Sequence, residues 1–459
     1  VGIGGGGNRS FRKGSIALNL DYQNLSPYYW VYPSRTDFKQ PYGMFSGAAQ
    51  YRYTPDERTV FKLYAGYDRT SFSNYADADR HLFVLGENNV YLNTTFRKRV
   101  ASGWNWFFGA ACSFYDWRVG GAVTGGDAWS ERQRELHLKV RSFRQFTPWL
   151  RLDAGVETFI RSYRDYYRFE LLYDENRMYP TICAGFLSSI FYLSEHFKTE
   201  LSFRPEYVSL NRRMNWSPRA AVSYAWNRLS ISVVAGQYTQ LPENKYLIKN
   251  TALPSNICRQ TLFSLQYEQS GRFYKAEFYY KNYKRLELSV PQGMVPDGYG
   301  YSKGVDLYFC DNALWKNFEY RLSYSYNLSK RKYREYTELT VPQYATRHNV
   351  SLVLKYSVPR LRTIFSVTDR LASGRPYHNP ELPGLMNDEV KPCHSLDLGI
   401  TVLASKKVIV HASATNLTGR KNEYGRINGQ AVRASSDRFF YLGVYITLGK
   451  KVAYDVSNF

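Results

Sequence analysis

Asp437-Arg-Phe-Phe-Tyr-Leu-Gly-Val-Tyr-Ile-Thr-Leu-Gly-Lys450 decides how this chain is read. Alternate residues Phe440, Leu442, Val444, Ile446 and Leu448 form an unbroken apolar row. The other row, Tyr441, Gly443, Tyr445 and Thr447, is polar or small. A period of two with one greasy and one wet face is a β-strand. In a soluble sandwich such a strand faces a dry core and water. In an outer-membrane barrel it faces lipid and a hydrated lumen. One strand does not separate these readings, so what the remaining chain repeats must decide.

Working back from that stretch, the same alternation recurs. Phe318–Ser329 sets Tyr320, Leu322, Tyr324 and Tyr326 against Arg321, Ser323, Ser325 and Asn327. His348–Ser357 sets Val350, Leu352 and Leu354 against Asn349, Ser351 and Lys355, and Tyr301–Cys310 sets Val305, Leu307 and Phe309 against Gly304, Asp306 and Tyr308. Counted this way, the sequence predicts about 20 strands, longer than soluble proteins usually use.

Connection lengths sort by side. Ser405-Lys406, Pro359–Leu361, Gln269–Gly271, Asn227-Arg228, Ser194–His196 and Thr147–Trp149 are short. Asn416–Ser436, Gly374–His394, Lys330–Arg347, Leu241–Arg259, Val119–Arg134 and Thr70–Glu87, on the far side, are long. Short turns on one rim and long loops on the other are the pattern of bacterial outer-membrane barrels. Only closure hides the edges of so many strands from lipid. The predicted fold is therefore all-β, a transmembrane antiparallel β-barrel over residues 15–450. Residues 1–14 read as a Gly-rich lead-in at an interior seam of a longer protein, and 451–459 as a short tail.

Composition agrees. The 459 residues would suggest about three domains by length, yet no linker or composition shift divides them. No run of 18 apolar residues exists, so no transmembrane helix is predicted. The 42 tyrosines suit the aromatic girdles of a barrel. The net charge of +22 is scattered along strands and loops, without a run of five basic residues. Such scatter argues against nucleic acid and points to anionic lipopolysaccharide outside or an anionic ligand inside. Five widely spaced cysteines support neither a disulfide framework nor a zinc site.

Several stretches resemble the barrel of TonB-dependent outer-membrane receptors, particularly the Bacteroidetes branch. They are Leu241-Pro-Glu-Asn-Lys-Tyr-Leu-Ile-Lys-Asn250, Ala276-Glu-Phe-Tyr-Tyr-Lys-Asn-Tyr283, Gly298-Tyr-Gly-Tyr-Ser-Lys-Gly-Val-Asp-Leu307, Ser323-Tyr-Ser-Tyr326, Ser373-Gly-Arg-Pro-Tyr377, Asn416-Leu-Thr418 and Arg438-Phe-Phe-Tyr-Leu-Gly443. Their order over residues 240–450 carries the likeness, and Tyr22-Gln-Asn-Leu-Ser-Pro-Tyr28 adds to it. The resemblance implies a barrel of 22 strands, of which about 20 are present. It also implies an N-terminal plug, absent from this chain, that the TonB complex grips. The implied function is energised import of a bulky scarce nutrient (a metal chelate, cobalamin or a glycan) across the Gram-negative outer membrane. Possible partners are lipopolysaccharide, outer-membrane lipid and a surface lipoprotein. The alternative is a plug-free passive pore or structural barrel.

Candidate ligand-binding residues lie in long loops and at far strand ends: Lys245, Tyr246, Arg375, Tyr377, His378, Tyr424 and Arg426. Polar side chains there meet water and solute without needing a buried partner. Phe440, Leu442, Val444, Ile446 and Leu448 are expected to face lipid. The histidines lack ligand spacing, so no metal site, cofactor or nucleic-acid partner is expected. No GxSxG stands in strand-turn-helix context, and the chain is not read as an enzyme.

Overall fold

The computed structural model describes residues 1–34, 36–75, 82–100, 103–121, 127–169, 172–427, 429–434 and 436–448. The expected tail over 451–459 lies outside them. Among the described residues there are 27 strands, two short α-helices (Ser26–Val31 and Asn244–Leu247) and one 3-10 turn. Twenty-three strands belong to one sheet, three more than the alternation suggested. Among the described residues no helix is long and apolar enough to cross a membrane. The chain divides into two compact units, 1–220 with 237–256 and 291–296, and 221–236 with 257–290 and 297–459.

The first unit is an antiparallel meander. Gly2–Phe11, Gly14–Asn24, Phe38–Asp56, Thr59–Tyr75, Leu82–Arg99, Asn105–Gly120, Ala128–Thr147 and Leu150–Phe169 pair in chain order. Leu150–Phe169 then pairs with both Leu172–Met178 and Thr181–Tyr192, and the latter with Phe197–Val208. Within the Gly-rich lead-in, Gly2–Phe11 is a ladder strand, invisible to periodicity because glycine has no side chain to alternate.

The short turns are tied by their own polar side chains. Asp56 accepts from the Arg58 N–H at 2.8 Å and the Thr59 hydroxyl at 3.1 Å. Thr147 Oγ1 accepts from Leu150 N at 3.0 Å, and Ser194 Oγ from Phe197 N at 3.0 Å. These are the local side-chain bonds that make Asp, Ser and Thr turn residues.

Register assigns the faces. Leu136, Leu138 and Val140 lie opposite Cys112, Ala110 and Phe108 on one side and Ile160, Thr158 and Val156 on the other. That row is mostly apolar, with Phe108, Leu138, Val156 and Ile160 exposed. The alternate row holds Glu135, His137, Lys139 and Arg141 beside Arg161, Phe159, Glu157 and Gly155.

The second unit repeats the arrangement. Phe440, Leu442, Val444 and Ile446 on Phe439–Ile446 sit opposite Ala414, Ala412, Val410 and Val408. The same face continues through Leu398, Ile400 and Val402, then Val367 and Phe365, then Leu354 and Tyr356. The expected apolar row is exposed, Leu442 at 71%. Leu448 lies just past the strand and is exposed too. Such a stripe, unbroken across strands and turned away from the protein, is what a hydrocarbon solvent demands.

Candidate functional site

Five of the seven candidates come from two loops of the second unit that the structure brings together. Pro376–Tyr377 pairs with Asp388–Glu389, and Glu423–Ile427 with Gln430–Arg433. The Arg375 guanidinium lies over the Tyr424 ring, 5.6 Å from its centroid, and Arg426 lies over Tyr377 at 5.7 Å. Guanidinium groups so placed are held by the ring quadrupole. Tyr377 is 8% exposed and donates its hydroxyl to Asp388, which also accepts from Asn379 Nδ2 at 3.1 Å. Tyr424 is exposed, and His378 lies exposed beside Tyr377 without a hydrogen bond to a described residue.

Both loops are pinned by amides. Asn387 Nδ2 donates to Leu382 O at 2.7 Å and Asn379 O at 2.9 Å. Asn416, at φ 50°, donates to Asp437 O at 2.6 Å and Arg420 O at 2.8 Å. Its own N–H donates to Asp397 Oδ1 at 2.8 Å. A left-handed turn at Asn with its amide reaching back explains why Asn416 opens the Asn-Leu-Thr stretch.

Beneath Tyr424 lies a cavity of about 550 Å³, with Arg370, His394, Arg420, Asn422 and Arg438 among its lining. Asp437 lines it as well. Arg370 is paired with Asp397. Glu277 pairs with Lys275 on its own strand at 2.9 Å, and Arg321 with Glu319. The wall is net basic, and its carbonyl-bound arginines are held in place: Arg420 donates to Pro392 O at 2.7 Å and Arg438 to Leu417 O at 3.1 Å.

The loop carboxylates are tuned. The Tyr377 hydroxyl, then Asn379 and the Glu389 N–H, hold Asp388 below the ordinary carboxylate range. Arg433, then Arg426, does the same for Glu423 against the opposing effect of burial. A depressed folded pKa means the bonds stabilise the loops above the ordinary range and are lost as pH falls through the depressed values. Protease protection around Tyr377 and Glu423 is therefore expected to hold from about pH 7 to about 5 and to fail below about pH 4. Cleavage appearing already at pH 6 in limited proteolysis would contradict this.

The other two candidates lie in the first unit. Lys245 is exposed, 3.3 Å from Glu243 and over the Tyr246 ring. Tyr246 is 6% exposed and packs with Tyr163, Met178, Leu247, Leu253 and Met294. Its ring belongs to the hydrophobic cluster that seats the Leu241–Ser255 loop, not to an open surface.

Sequence reading missed an ion network on the polar face of the first unit. Glu157 accepts from Lys139 Nζ at 2.9 Å and from Arg204, whose other nitrogen reaches Glu206 at 3.1 Å. Arg141 holds Asp153 through Nε at 2.7 Å, and Arg161 holds Glu135. A neighbouring cavity of about 670 Å³ is lined by Glu131, Glu135, Arg161, Tyr163, Arg204 and Glu206, among others. Only register shows these opposite charges to be neighbours; their sequence spacing carries no signal.

No family model and no curated protein matches the sequence. Solved structures do match in fold. The ferric yersiniabactin uptake receptor FyuA from Yersinia pestis aligns with a TM-score of 0.77 at 12% identity, over 97% of this chain and 78% of that one. Copper transporter OprC aligns at 0.76 and 12% identity, over 97% and 79%. The FrpB iron transporter from Neisseria meningitidis aligns at 0.76 and 10% identity, over 97% and 80%. These neighbours are transport receptors rather than enzymes. The fold of this chain is the transmembrane β-barrel of outer-membrane transport receptors.

Proposed function

We propose that this chain is the barrel of an outer-membrane importer that captures a bulky, scarce nutrient and draws its energy from TonB. The observation carrying the proposal is the pair of loops that set Arg375 on Tyr424 and Arg426 on Tyr377 beside a net basic cavity. Of the three nutrient classes, an anionic metal chelate fits best. Guanidinium groups bind carboxylate and phenolate oxygens with paired hydrogen bonds, and tyrosine faces stack on planar chelators. The fold neighbours described as copper and iron transporters and as a ferric yersiniabactin receptor support the same class. Cobalamin and glycans, and a surface lipoprotein closing over a glycan site in the manner of Bacteroidetes receptors, would call for a neutral aromatic platform instead.

The test uses the full-length protein. It is expected to bind a ferric chelate and to support growth on it only in cells that have TonB. The double change Arg375→Gln with Arg426→Gln is expected to weaken chelate binding at least about tenfold, as for the loss of one or two charge-assisted hydrogen bonds. Growth without TonB would indicate a passive pore. Unchanged binding by the double variant would place the ligand elsewhere.

A further inference from the structure

Toward the short turns, successive rungs on the polar face of the first unit gather bases at one end and acids at the other. One rung runs Arg52, Lys62, Thr95, Gly109, Lys139 and Glu157. The next runs Val60, Arg97, Phe107, Arg141 and Gly155, and the one after it Arg99, Asn105, Phe143 and Asp153. Glu157 answers Lys139 at 2.9 Å, and Asp153 answers Arg141 at 2.7 Å. Both carboxylates stand on Leu150–Phe169. At the other end Arg52, Lys62, Arg97 and Arg99 have no ion pair among the described residues. Arg52 sits directly opposite Lys62, and like charges so opposed repel.

Beside these bases lies a cavity of about 630 Å³. Arg58, Arg97, Arg99, Arg141 and Arg151 line it, and among its described lining residues Glu57 is the single carboxylate. Phe107 and Phe143 give it apolar faces. The Arg97 guanidinium lies 5.3 Å from the Phe107 centroid, and those of Arg141 and Arg151 lie 5.5 and 4.3 Å from the Phe143 centroid. The ring quadrupoles hold these groups in place without using up their N–H donors. Arg151 reaches Asp153 at 3.9 Å, yet its buried Nε has no hydrogen-bond partner among the described residues. Two ladder spacings, about 10 Å of backbone, separate Arg97 from Arg141. A hollow of this volume suits a small molecule.

We infer that this trough is a second binding site, for a planar organic anion carrying two or more carboxylate or phenolate groups. The ring of such an anion stacks on Phe107 and Phe143, while its oxygens meet the guanidinium forks in pairs. Arg52 and Lys62, one rung beyond the cavity, add an attractive field without touching the ligand. The bound anion also offsets the repulsion carried by the bare rungs. The inference concerns the first unit alone and does not use the loops of Arg375 and Arg426, so failure of either reading leaves the other standing.

The experiment uses full-length protein in detergent carrying Arg375→Gln and Arg426→Gln, which silences the loop cluster. Calorimetry follows its titration with benzene-1,3,5-tricarboxylate, the neutral triamide of that acid and inorganic sulfate, each at low and at physiological salt. The tricarboxylate is expected to bind at least about tenfold more tightly than either comparison, and to weaken as salt rises. Adding Arg97→Gln and Arg99→Gln, both exposed and without ion pairs, is expected to remove that preference. Equal binding of the triamide, or no binding of the tricarboxylate, would overturn the site. Equal binding of sulfate would overturn the choice of a planar organic ligand. A preference unaltered by the two added changes would overturn the assignment to this wall. Should the combined variant fail to assemble, Arg97→Gln added alone, expected to weaken tricarboxylate binding severalfold, decides in its place.

Discussion

Leu442→Arg is expected to cut the yield of membrane-inserted protein sharply. Leu442 is 71% exposed at the middle of the closing strand, in line with Ala412, Ile400, Phe365 and Tyr356 on successive neighbours. A guanidinium there has no water to turn to. The cost is about 2–4 kcal/mol near the bilayer midplane and falls toward the interfaces. Tyr445→Arg, three residues on and on the opposite row, meets a hydrated lumen and should cost little. The check is the fraction of each variant in outer membranes that resists unfolding in detergent. Equal recovery of both would show that the faces have been assigned the wrong way round.

Glu157→Ala carries the second large effect. The carboxylate is 8% exposed and binds Lys139, Arg204 and, at 3.4 Å, His137. Removing it leaves two cations facing each other across a partly dehydrated wall. Breaking a buried pair from one side costs about 3–5 kcal/mol. The lower end, about 3, applies here because Lys139 and Arg204 keep some access to water. The midpoint of heat-induced barrel unfolding should drop accordingly. Replacing Glu157 by Leu together with Lys139 by Met should recover much of the loss, since Arg204 then keeps Glu206 as its partner. A single variant as stable as the wild type would mean that water already satisfies both cations.

The fold was legible wherever strands cross hydrocarbon, since there every second residue must be apolar. It faded where the ladders rise past the lipid. Thr70–Glu87 reads as a loop, yet strands run to Tyr75 and resume at Leu82. Val119–Arg134 reads likewise, yet the strand resumes at Ala128. There the otherwise apolar row carries charge too, at Arg118 and Arg132, and alternation stops while pairing continues.

The loop cluster was legible only as a set of separate residues. Arg375 and Tyr424 are far apart in the chain, and nothing in either stretch announces that a cation will rest on that ring. Tyr246 shows the reverse case: an aromatic in a polar loop is as readily the anchor that seats the loop. The Glu157 network was hidden for another reason, because which charges meet depends on a register that no single strand contains.

Gly4 to Gly7 form the barest part of the ladder, four consecutive positions with hydrogen bonds and no side chains. Each glycine gives up about 1 kcal/mol more conformational freedom than alanine would on being fixed. Nothing apolar repays that on either face. Amide exchange should accordingly run faster along this stave than along its neighbour Ile16–Leu20. If the wall is ever to part while the remaining staves hold, this is the slat that gives.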